Sequence, residues 1–167
     1  MTAEELIALL QLEPLEMEGG FFQRTYYSDE TLPQGALPER YQSAHTLGSS
    51  IYYLLTRENF SHFHSLLSDE TYHFYMGDPV ELVELHADGE CTITILGPDL
   101  LAGQKLQHTV KKHTWQASYV RTGGTFALLG CSVYPSFEMS DFVQAHWETL
   151  LRSHPKHHQM IMRLTHK

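Results

Sequence analysis

The sequence predicts an all-β sandwich or barrel with a short N-terminal helix and helical segments at the C-terminus. Three observations carry that prediction. Stretches rich in Val, Ile, Thr, Tyr and Phe follow one another between residues 21 and 133. Turn residues interrupt them at roughly the eight-to-twelve-residue spacing of all-β domains. Helical periodicity is confined to the two ends. At 167 residues and 42% hydrophobic content, the chain suits a single domain over residues 1–167, since about 150 residues bury roughly 68–70% of their unfolded surface.

Thr2, Glu4 and Glu5 precede Leu6, Leu9 and Leu10 at helical spacing, the pattern of a capped amphipathic helix that ends before Pro14. After Gly19-Gly20 the pattern changes to strands: Phe21–Tyr27, Thr46–Leu55, Phe60–Leu66, Thr71–Tyr75, Val80–His86, Cys91–Leu96, Lys105–Val110, Trp115–Val120 and Thr125–Val133. Asp88-Gly89 marks a hairpin, and Gly97-Pro98 and Gly123-Gly124 mark two further reversals. Ser28 to Tyr41, with Pro33, Gly35 and Pro38, reads as a long loop able to fold over a pocket mouth or a partner subunit. Beyond Pro135 the pattern predicts a helix over Asp141–Leu151, capped by Ser140, and a turn or two over His157–Leu164.

A formal charge of −9 argues against a nucleic-acid partner, because Lys111-Lys112, Arg163 and Lys167 are too few to track a phosphate backbone. Twelve His make that charge pH-sensitive and take it through zero on the acidic side of neutrality. The acidic start Met1-Thr2-Ala3-Glu4-Glu5 is unlike a secretory signal, and no stretch approaches the ~18 apolar residues of a membrane span. The expectation is a cytoplasmic protein without membrane contact. Cys91 and Cys131 sit in apolar strand-like runs and are expected as reduced, buried thiols.

The polar residues of interest cluster in Phe60–Pro79. Alternation along Phe60–Leu66 would send His62 and His64 to one face, beside Phe60 and Leu66. A corner at Ser68-Asp69 would bring Glu70 back toward that wall on the next strand. With Glu70 inward, Tyr72 and Phe74 follow it and His73 faces away. Arg24 shares a strand face with Phe22 and Tyr26, suited to clamping a carboxylate or phosphate, or equally to a strand-edge ion pair. The run His154-Pro155-Lys156-His157-His158 reads as solvated surface.

The spacing His62-x-His64, five residues, Glu70, six residues, Gly77 resembles the first motif of the cupin superfamily. Five further blocks occur in order along nearly the whole chain: Glu18 to Tyr26, Ser49 to Leu55, Ser68 to Pro79, Thr114 to Ala117 and Cys131 to Phe137. Together they resemble the uncharacterised cupin-5 (DUF985) family, with Met17 where that family usually has Pro and Ser136 where it usually has Gly. The resemblance implies a jelly-roll domain that pairs as a homodimer. In metal-binding cupins His62, His64 and Glu70 would ligate a divalent ion such as Zn, Fe or Mn, with a fourth His from a second motif. Here that motif aligns on Lys111 to Gln116, which puts Gln116 at the fourth place. An amide is a poor ligand for Zn or Fe but a good partner for a polar molecule, so a pocket working without metal is favoured.

These readings lead to three functions. The first is a small-molecule-binding cupin acting as a metal-independent isomerase or epimerase on a sugar or oxyacid, with His64 as base, Glu70 as orienting or acid group, and His62, Gln116, Arg24 and Tyr72 binding the ligand. The second is a metal-dependent dioxygenase or lyase using His62, His64 and Glu70. The third is a ligand-binding or assembly module without turnover.

Overall fold

The computed structural model describes residues 1–165; Lys167 of the basic tail lies outside them. The first helix, α1 (Ala3–Leu10), starts where the sequence puts it. Thr2 Oγ1 accepts the Glu5 N–H at 3.3 Å and Glu5 Oε2 accepts the Thr2 N–H at 2.8 Å, a reciprocal cap that satisfies two otherwise orphaned donors. The strands follow as β1 (Glu13–Pro14), β2 (Phe21–Tyr27), β3 (Thr31–Leu32), β4 (His45–Thr46), β5 (Ser49–Thr56), β6 (Ser61–Leu66) and β7 (Glu70–Gly77). After them come β8 (Val80–Leu85), β9 (Cys91–Leu96), β10 (Gln107–Val110), β11 (Trp115–Val120), β12 (Phe126–Val133) and β13 (Phe142–Gln144). Two short helices, α2 (Trp147–Ser153) and α3 (His158–Leu164), close the described chain.

Two antiparallel sheets make the sandwich. One has the order β1-β2-β5-β12-β7-β10 and the other β13-β6-β11-β8-β9, while β3 and β4 form a small separate pair. The corner at Ser68-Asp69 therefore carries the chain from one sheet to the other, so Glu70 approaches His64 from the opposite wall and not from the same one.

Three cores hold this arrangement. Between the sheets lie Tyr53, Leu55, Phe74, Leu82, Leu96 and Leu129 among others. Each such leucine is almost fully buried and contributes about 1.5–3 kcal/mol. On the far side of the five-stranded sheet, Phe63, Val83, Leu85 and Ala117 meet Leu150, Ile161 and Leu164 of the C-terminal helices. On the far side of the six-stranded sheet, Leu54 and Leu128 receive Leu6 and Leu12 from α1 and its exit.

Three sequence expectations need correction. The strand expected over Thr46–Leu55 breaks at Leu47-Gly48, where the Tyr134 ring packs so closely that a Cβ on Gly48 would sit 2.2 Å from it. The helix expected over Asp141–Leu151 does not begin at Ser140. Phe142–Gln144 instead pair with Leu66–His64 and cover the edge of β6, and the helix starts at Trp147. His154 is buried, not solvated: its Nε2 donates to the His86 carbonyl at 2.8 Å and pins the C-terminal helices to the β8–β9 hairpin. The segment read as a long loop, Ser28 to Tyr41, folds over the β6–β7 corner, with Tyr41 Oη 2.7 Å from Ser68 Oγ and Arg40 Nε donating to the Leu67 carbonyl at 2.9 Å.

Candidate functional site

The ladder between β6 and β11 pairs Ser61 with Ser118 and His64 with Gln116. Two residues intervene on β6 where β11 has one, so β6 bulges at His62-Phe63. Ser61 and His64 consequently face the sandwich interior, while Phe63 turns to the C-terminal helices. His62 leaves the wall it was expected to share with His64. Its backbone N–H donates to the Glu18 carbonyl at 2.7 Å and its ring Nδ1–H to the same oxygen at 2.9 Å.

That contact brings in a residue absent from the sequence-derived set. Gly19 has a φ of +101°, and a Cβ there would lie 2.0 Å from the Phe60 carbonyl oxygen, so only glycine lets the chain pass this close to β6. Held by His62, Glu18 lays its carboxylate inside. Oε1 accepts from Ser61 Oγ at 2.8 Å and Oε2 lies 3.9 Å from His64 Nε2. An acid directly before a Gly-Gly turn was the available signal.

Glu70 completes the cluster from the facing sheet. Its Oε2 accepts the Gln116 amide at 2.7 Å and lies 3.9 Å from the same His64 Nε2. His64 is 1% exposed, stacks on Phe142 with ring centroids 5.2 Å apart, and donates Nδ1–H to the His62 carbonyl at 2.8 Å. Its Nε2, together with Gln116 Oε1, Tyr72 Oη and Ser118 Oγ, is buried without a hydrogen-bond partner in the described structure. Burial disfavours charge on His64, but the carboxylates of Glu18 and Glu70 outweigh it and raise its pKa to about 9. Burial lifts the Glu18 carboxyl above its ordinary value; Glu70 reinforces that lift, against the lowering pull of His64.

A cavity of about 190 Å³ opens beside this cluster. Glu18 and Glu70 form its polar end, Phe22, Ile51, Leu66, Val133, Phe137 and Phe142 much of its wall, and Arg24, Glu138 and Met139 also line it. Arg24 is exposed, with its guanidinium 4.8 Å from the Tyr27 ring centroid. Tyr72 points into the sandwich between Glu70 and the apolar core, and burial, with Glu70 adding to it, pushes its phenol well above the ordinary value. His73 lies on the outer face, its Nε2 3.2 Å from Ser132 Oγ. The structure thus gathers His64, Glu70 and Gln116, and it leaves His62 outside.

The same geometry tests the expected metal set. The bulge turns His62 off the wall that carries His64, and its ring bonds the Glu18 carbonyl instead of joining Glu70. Among the described residues no group of three or more His, Cys, Asp or Glu could hold a metal ion. His62, His64 and Glu70 are thus not gathered into one group.

A jelly-roll sandwich with an inward-facing polar cluster at one end of its interior defines a cupin. The Cupin superfamily (DUF985) model matches residues 4–145, and the chain belongs to that family. It is similar to a hypothetical protein from Leishmania major at 28% identity, with a TM-score of 0.90 and both chains covered in full. It is similar to a Shewanella oneidensis protein at 34% identity and TM-score 0.86, over 99% of this chain and 98% of that one. Oxalate decarboxylase from Bacillus subtilis shares the fold at 12% identity and TM-score 0.52, over 88% of this chain and 35% of that one. No curated protein matches the chain.

Proposed function

We propose that the cavity binds a small organic molecule and that its inner end transfers protons, as in an isomerase or epimerase. The observation that carries this reading is the pair of inward carboxylates, Glu70 buried and Glu18 largely so, each 3.9 Å from one buried imidazole. The roles differ from those the sequence suggested. A pKa of about 9 keeps His64 as imidazolium at neutral pH, which makes it the charge partner and not the base. The carboxylates are the bases, and the raised Glu18 is closer to the neutral range where general bases work best. One carboxylate takes the proton from the carbon beside a substrate carbonyl, the electron pair moves to the oxygen to give an enolate whose charge the His64 imidazolium offsets, and the same group, now a carboxylic acid, returns that proton to carbon. The apolar walls favour a compact, apolar-bodied substrate over a sugar.

Deuterium wash-in at the hydroxyl-bearing carbon of 2-hydroxycyclohexanone, followed by NMR in D2O, tests the chemistry. Acceleration over buffer that disappears in Glu70→Gln is expected; no acceleration would leave a binding module without turnover. The free thiols of Cys91 and Cys131 support a reducing compartment such as the cytoplasm. Among the described residues no helix is long and apolar enough to cross a membrane. A homodimer remains part of the proposal, supported by exposed Tyr26, Tyr75 and Tyr134. Sedimentation as a monomer at micromolar concentration would rule it out.

A further inference from the structure

We infer that the cavity selects a ligand of about one six-membered ring with an apolar body and a single hydrogen-bond-donating head, a hydroxyl or an ammonium, seated between Glu18 and Glu70. This rests on the reading of the cavity as a small-molecule site and names the class of molecule it takes.

Size comes first. A dry cavity of about 150 Å³ accommodates benzene, so about 190 Å³ leaves room for one ring and one substituent. Larger ligands need roughly 300–1,000 Å³.

The head group follows from which polar atoms the cavity offers. At its inner end the lining side chains are two carboxylates, and carboxylates accept. Among the hydroxyls on the wall, Ser49 Oγ accepts the Phe137 N–H at 3.1 Å and keeps its own O–H to donate, and Ser50 Oγ is 3.0 Å from Ser132 Oγ. The guanidinium of Arg24 is exposed and lies over the Tyr27 ring, 4.8 Å from its centroid, while Glu138, also on the lining, accepts from Tyr27 Oη at 2.6 Å. A carboxylate head placed between Glu18 and Glu70 would add a third negative charge beside a single imidazolium, and like charges repel strongly in a site of low dielectric. A polyol fails for a different reason. Its remaining hydroxyls would face Phe22, Ile51, Val133, Phe137 and Phe142, none of which offers a side-chain partner. The charges agree, since two carboxylates around one imidazolium leave an acceptor in excess for a donor to satisfy.

Calorimetry on the full chain with phenol, benzylammonium, anisole, benzoate and glucose decides it. Phenol or benzylammonium should bind at least about tenfold tighter than anisole, the equivalent of one lost donor. Benzoate and glucose should show no binding. Glu70→Gln should abolish the preference for phenol over anisole while anisole affinity changes less than threefold. Should Glu70→Gln fold poorly, Glu18→Gln provides the same comparison. Val133→Phe, which fills the cavity, should remove all binding. Binding of benzoate or glucose in place of the donors, lost on Val133→Phe, overturns this inference and leaves the small-molecule site standing. No binding by any of the five probes overturns both.

Discussion

The two halves of the sandwich interior rest on the same strands and obey the same alternation, yet they are filled in opposite ways. Along β7 the inward residues run Glu70, Tyr72, Phe74; along β11 they run Gln116, Ser118, Val120. At one end the sheets close over Leu55, Leu82, Leu96 and Leu129. At the other, His64 Nε2, Tyr72 Oη, Gln116 Oε1 and Ser118 Oγ are buried without partners, although most buried polar atoms in proteins have one. The difference teaches that scaffold and site are separable here. The apolar half supplies stability, and the polar half gives some of it up to hold charge out of water.

Removing the imidazole should do the most damage. His64→Ala leaves two inward carboxylates facing each other uncompensated, and a loss of about 3–5 kcal/mol in urea unfolding is expected. A loss below about 1 kcal/mol would mean that His64 does not compensate them. Leu129→Ala attacks the other half and should cost about 2–5 kcal/mol through cavity formation, while leaving ligand affinity unchanged.

The third prediction uses pH. The folded pKa of His64, about 9, lies above the ordinary value near 6.5, so its stabilisation is complete below about pH 6.5 and is lost as pH rises through 9. Wild-type stability should fall across that window relative to His64→Gln. Parallel curves would remove the imidazolium from the site. The smallest effect belongs to His73→Ala. His73 lies on the outer face with one hydrogen bond to Ser132, and both stability and affinity should change within the range of surface substitutions, about 0.5 kcal/mol.

Much of this contrast was legible in the sequence, because alternation is local. β2, β9 and β11 have the predicted bounds, and Glu70, Tyr72 and Phe74 turn inward while His73 turns out. What was not legible depends on distant pairing. Phe142–Gln144 carry a helical pattern in isolation but are recruited as a strand by the open edge of β6. Glu18 enters only because the His62 N–H, released by the bulge, finds its carbonyl. Neither event leaves a periodic trace.

The bulge in β6 makes the site's composition a matter of reading frame. Spelled as letters, His62-Phe63-His64 promises two imidazoles on one wall; parsed with one extra residue, it presents Ser61 and His64 instead, and a glutamate from across a glycine turn stands where the second imidazole would be. Deletion of Ser61, which would let His62 take its place two positions before His64, would restore the two-histidine spelling. In a fold of this kind, an insertion or deletion of one position can therefore exchange one donor set for another more abruptly than any point substitution at the site itself.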